Sequence, residues 1–112
     1  MTKTEKTRTL NDLARTAPGV ACKLVQTAGI AALPMDVQSR IRERVETFDD
    51  FDKDNDPHFE HDFGAFDDHD AGQVFWKIDY YAAGSNFTYG SDDPSDPGKT
   101  IRVLTIMLAA EY

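Results

Sequence analysis

The sequence predicts one α+β domain: a small, mostly antiparallel sheet, built from a three-stranded meander plus an N-terminal strand, with helices packed on one face. Three observations carry that prediction. A chain of 112 residues with 40% hydrophobic content can bury a modest core despite a formal charge of −8. Residues 34–47 repeat their apolar positions with a helical period, whereas residues 73–81 alternate with the period of a strand. Gly, Asn and Asp clusters then separate the extended runs as turns would, and neither a repeat nor a linker divides the chain. Residues 1–112 are read as a single domain whose first nine or so residues are frayed.

From Thr4 to Ala17, Leu10, Leu13, Ala14 and Ala17 fall on one helical face, and Pro18-Gly19 ends the helix. Ala21–Ala28 alternates as a strand, closed by Gly29, with Ile30–Leu33 as an apolar connector. Pro34 opens a second helix, Asp36 sits in its first turn where the helix dipole favours an anion, and Val37, Ile41, Val45 and Phe48 line its buried stripe. Arg40, Arg42 and Arg44 take its solvent side. After a loop, His61–Asp67 and Gln73–Tyr81 read as strands around an Asp-His-Asp-Ala-Gly turn, and Asn86–Tyr89 as the third strand of the meander. Asp96-Pro97 is a helix-entry pair, and Lys99, Arg102, Thr105 and Ala109 form a polar stripe, which together predict a C-terminal helix. A strand is the alternative there, because Thr100, Ile101, Val103, Thr105 and Ile106 are β-branched.

The unusual feature is Asp49–Asp70, where nine aspartates and Glu60 face a single base, Lys53. The stretch carries −9, so the rest of the chain is close to neutral. All three histidines, His58, His61 and His69, fall inside it. Its first half lacks apolar periodicity and contains Asn55-Asp56-Pro57, so it is a loop, pinned to the core by Phe48, Phe51 and Phe59. A pI of about 4.6 argues against direct nucleic-acid binding, which needs clustered Lys and Arg. A lone Cys22 excludes an intrachain disulfide and reads as a small core residue. No apolar run is long enough for a membrane span and no signal peptide is visible, so a cytoplasmic protein is expected. The Asn86-Phe87-Thr88 sequon would then go unused.

Four chemistries compete for this segment. Alternating Asp50, Asp52, Asp54 and Asp56 suit a calcium loop, but the EF-hand positions for Gly and Glu hold Asn55 and His61 in one register, Pro57 and Phe63 in the other. His58, Glu60, His61 and Asp62 could ligate a transition metal, although a strand starting at His61 would point His61 and Asp62 to opposite faces. Acid–base pairs of His61 with Asp62, or Lys77 with Asp79, could serve a small enzyme, yet no nucleophile elbow or phosphate loop accompanies them. The fourth is an acidic interaction surface with Asp49, Asp50, Asp52, Asp54, Asp56, Glu60, Asp67, Asp68 and Asp70 as partner-binding residues. No catalytic residue and no cofactor is assigned. Against each stands a plain alternative: solvated acids, histidines bonded to loop backbone, and phenylalanines packed in the core.

The segments TFDDF (Thr47–Phe51), DNDPHFEHDFGAF (Asp54–Phe66), FWKIDYY (Phe75–Tyr81), YGSDDPSDP (Tyr89–Pro97) and RVLTIMLAAEY (Arg102–Tyr112), with TAGIAALP (Thr27–Pro34) upstream, resemble the DUF3768 family of short bacterial proteins of unknown function. The likeness spans roughly residues 10–112. It implies an accessory protein of plasmids, prophages and other mobile elements, and supplies no catalytic residues. Together these readings lead to one expectation. The chain would be an acidic module that binds a protein with a basic surface and inhibits a nucleic-acid-handling host or defence complex, of anti-restriction or anti-CRISPR type, by DNA mimicry or occlusion. It would work as a monomer or homodimer.

Overall fold

A computed structural model describes residues 1–112. Helix α1 spans Lys3–Thr16, strand β1 Lys23–Gln26, the single turn α2 Ala28–Ala31 and helix α3 Met35–Glu46. Strands β2 (Phe63–Asp68), β3 (Gly72–Ala82) and β4 (Thr100–Leu108) follow, and a 3₁₀ turn closes the chain. The sheet order is β1-β4-β3-β2, antiparallel except for the parallel β1–β4 pair. The α+β class and the meander with an added N-terminal strand are therefore present. The meander's third strand, however, is β4 and not Asn86–Tyr89.

Left-handed backbone at Asn86 (φ 53°) and Phe87 (φ 61°) breaks that shorter run into turns, leaving one bridge between Tyr81 and Gly90. The C-terminal segment is a strand and not a helix. β4 lies between β1 and β3, with Leu104 and Ile106 in the core and Val103 and Met107 buried on the opposite face. A strand covered on both sides loses its alternation and reads as a continuous apolar run.

The core packs Ala14 of α1, Ile30 of α2, and Val37, Ile41 and Val45 of α3 against Val74, Trp76, Ile78, Leu104 and Ile106 of the sheet. All helices thus cover one sheet face. The N-terminus is helical and not frayed, because Thr2 and Glu5 form a reciprocal capping box. The buried face of α1 also differs from the apolar stripe: Thr7, Asn11, Ala14 and Arg15 point inward while Leu13 is 54% exposed. Polar side chains with internal partners displaced leucine from the interface.

Candidate functional site

The acidic loop between α3 and β2 is held from below by aromatics. Phe48 and Phe51 pack edge-on against Trp76, with ring centroids 5.5 and 6.1 Å away. Phe59 is not an anchor; it is 58% exposed at the loop surface. Within the loop, the Asp52 carboxylate accepts from the Asp54 and Asn55 amides, and Asn55 donates to the Asp50 carbonyl. Asp56, 3% exposed, accepts from the amides of Glu60 and His61. These bonds fix the backbone in one turn geometry and leave Asp49, Asp50, Asp52 and Asp54 exposed.

Helix α1 clasps the far side of the loop. His61, at φ 55°, stacks on Phe51 at 3.8 Å with the rings nearly parallel. Its Nδ1 lies 2.8 Å from Asp12 Oδ1 and its Nε2 faces Asp56 Oδ2 at 3.7 Å. Arg15 donates to Asp12 and to the carbonyls of Val45 and Phe48, with its guanidinium 4.9 Å above the Trp76 ring. Alongside runs a chain of hydrogen bonds: Arg102 donates to Asn11, Asn11 to the Tyr80 hydroxyl, and Tyr80 to the Glu60 carboxylate. Asn11 also donates to the Glu60 carbonyl. Burial, then the bond to Glu60, pushes the Tyr80 hydroxyl far above its usual range, so it stays a donor.

Three of the nine proposed partner-binding residues are consequently committed inside the molecule. Asp56 caps the loop, Glu60 accepts from Tyr80, and Asp68, 5% exposed, takes a bidentate pair from Arg40 and the amides of Asp70 and Ala71. That pairing holds the Asp68 carboxyl well below the usual carboxylate range. Asp70 is exposed but also bonded to Arg40, so Arg40 is not a free solvent-side charge. Of the nine, Asp49, Asp50, Asp52 and Asp54 remain exposed without an ion pair, and Asp67 is exposed with Arg44 donating to its backbone carbonyl at 2.6 Å. Asp49, Asp50 and Asp67 line one groove of about 400 Å³ beside Arg44 and the β2 edge, while Asp52 and Lys53 border a smaller depression next to His61 and Phe59.

The other candidate chemistries are dispersed. His61 pairs with Asp12 instead of Asp62, and both its ring nitrogens face carboxylates. His58 is exposed, and Glu60 is taken by Tyr80. Asp62 is half-buried, and burial followed by the charge of Glu60 raises its carboxyl above the usual range. The only trio of ligand-type atoms within 4.8 Å of one another is Asp68, His69 and Asp70, where Arg40 already supplies the positive charge. Lys77 and Asp79 form a partly exposed ion pair at 3.0 Å on the sheet face away from the helices. Sequence reasoning missed Asp12, Asn11, Arg15 and Arg102. Asn11, Asp12 and Arg15 lie in a largely polar helix where nothing marks them out, and only Arg102 stands out, as a charge in an otherwise apolar strand.

Fold and site together define a small α+β protein with an internally braced acidic loop and one sheet face on which no helix packs. A family model described as a protein of unknown function (DUF3768) matches residues 26–111, and the chain belongs to that family. No curated protein and no solved structure matches it. No helix is long and apolar enough to cross a membrane. All of α1, including every residue that clasps the loop from that side, precedes the matched region.

Proposed function

We propose that this protein is an acidic interaction module which presents Asp49, Asp50, Asp52 and Asp54, with Asp67 beside them, to a basic groove on another protein. The observation that carries this reading is the loop's construction. Its carboxylates stay in solvent while its backbone is fixed by Asp52, Asn55 and Asp56 and its aromatics are seated on Trp76. A fixed array of anions competes with phosphate for Lys and Arg without the ordering entropy a flexible acidic tail would lose on binding. Exposed Phe59 adds one apolar contact at the array's border. The partner class is a nucleic-acid-handling protein of a host or defence system, blocked by mimicry of DNA or by occlusion of its groove, and the setting is a mobile element.

The test uses Asp49→Asn, Asp50→Asn, Asp54→Asn and Asp67→Asn combined, which spares the three carboxylates that hold the fold. Wild-type protein should retain a basic partner from host lysate at low salt, release it as salt rises, and displace it from DNA. The neutralised variant, with a melting temperature no lower than that of wild type, should lose both effects. Undiminished capture and an unchanged salt slope would sink the proposal.

A further inference from the structure

No helix packs on the sheet face opposite α1–α3, although Val103 and Met107 in its middle are buried by neighbouring side chains, and its central strand is a self-complementary sequence. Five β3 side chains point to this face: Gln73 at the start of the strand, then Phe75, Lys77, Asp79 and Tyr81, an aromatic, a cation, an anion and an aromatic. The last four are symmetric about Ile78. Lys77 and Asp79 stand 3.0 Å apart in mid-strand, both about two-fifths exposed. Beneath them Val103 and Met107 of β4 supply an apolar floor. Tyr112 folds back against Phe75 at one end, at 5.4 Å, and Phe87 meets Tyr81 at the other, at 5.6 Å.

We propose that this face binds a second copy of the chain, two sheets packing face to face across a two-fold axis over Ile78 of β3. An isologous interface requires that residue i meet residue j while j meets i. An axis lying between the sheets and crossing β3 at Ile78 sets Lys77 of each copy against Asp79 of the other, and Phe75 against Tyr81. With that axis perpendicular to β3 the two sheets are aligned, and because positions 77 and 79 are one residue from it, the roughly 30° by which aligned sheets cross displaces their pairing by only about 2 Å. The strands' 4, 9, 11 and 6 residues, at about 3.3 Å per residue and about 4.8 Å between strands, give the face a plan area on the order of 480 Å², and with exposed Ile101, Phe87 and Tyr112 around it the face suits the small end of specific interfaces, a reversible dimer. Charge favours the same occupant. The pair at the centre is neutral, which gives a polyanion little to bind, and the exposed acids of the loop are carried by a segment seated through Phe48 and Phe51 on the helix-covered face.

The test is a charge swap read by sedimentation equilibrium and light scattering. Wild-type protein should be dimeric. Lys77→Asp alone and Asp79→Lys alone should each weaken association by about tenfold or more, since like charges then meet at the axis. The double variant should dimerise again. A mixture of the two single variants should also form a heterodimer, although each chain keeps its own like-charged pair, so recovery through the intrachain contact is distinguishable. Circular dichroism and melting curves establish that every variant is folded. A monomeric wild type, a dimer indifferent to the single swaps, or single variants that fail to associate on mixing would each overturn the proposal.

Discussion

Two residues show how much of this fold depends on single side chains. Gly64 lies on β2 opposite Trp76, and a methyl group there would fall inside contact distance of the indole nitrogen and 2.8 Å from Phe48 Cε1. In an open strand Gly→Ala is stabilising, because it removes unfolded-state freedom. At this position Gly64→Ala should destabilise by about 1–3 kcal/mol, since rigid rings on both sides must shift, and the urea midpoint reads the sign directly. Asp68 governs the acid limb of stability. Its carboxyl is depressed first by Arg40, then by the Ala71 and Asp70 amides. A depressed folded-state value stabilises the fold above the unfolded carboxylate pKa, about 3.9, and that contribution is lost as pH falls through the folded value. Asp62, raised by burial, acts with the opposite sign, its contribution falling as pH climbs from the unfolded carboxylate value through the raised folded one. Asp68→Asn should therefore melt several degrees lower at neutral pH and show a flatter decline below pH 4. An acid slope equal to wild type would remove Asp68 as its source.

At the level of elements, α3 and β3 were legible because each buries one face and leaves the other wet, so period and burial agree. β4 was not, because it is buried on both faces and its polar residues, Arg102 and Thr105, happen to fall at a helical spacing. Helix α1 was legible as a helix but not in its orientation. Its interface is polar, and polarity in sequence reads as solvent exposure unless the partners are known: Arg102 and Tyr80 for Asn11, the α3 terminus for Arg15, His61 for Asp12. The acidic stretch was visible as composition, whereas the division of its carboxylates into structural and free ones follows from contacts over long sequence separations. Asn11→Ala leaves Arg102 Nε and the Glu60 carbonyl without their buried partner and should cost about 1–3 kcal/mol. Removing residues 1–9, which the sequence reads as frayed, deletes Thr7 and the capping box and should lower the melting temperature and loosen the loop. Hydrogen exchange at the Glu60 and His61 amides, both bonded to Asp56, would report that loosening.

For the molecule as a whole, charge is distributed against stability. Asp49, Asp50, Asp52 and Asp54 stand within six residues on a loop that cannot extend to separate them, because Phe51 is seated on Trp76 and Asn55 is bonded back to Asp50. Each raises the electrostatic energy of its neighbours, and the helices' compensating arginines are engaged elsewhere: Arg15 beneath the loop, Arg40 on Asp68, Arg44 over Phe66. A surface that keeps such repulsion in its resting state gains more from meeting a basic partner than one whose acids are already paired. The same repulsion is measurable without any partner. The screening length shortens from about 30 Å at 0.01 M salt to about 8 Å at 0.15 M, so the melting temperature should rise with sodium chloride across that range. Neutralising Asp49, Asp50 and Asp54 to asparagine should raise it at low salt and abolish most of its salt dependence. Calcium and sodium, compared at equal ionic strength with EDTA added back, separate screening from a bound ion: screening gives similar melting temperatures for the two salts and no response to EDTA. A salt-insensitive wild type would mean that the loop's charges are already compensated, and the binding surface would then have to be sought elsewhere on the molecule.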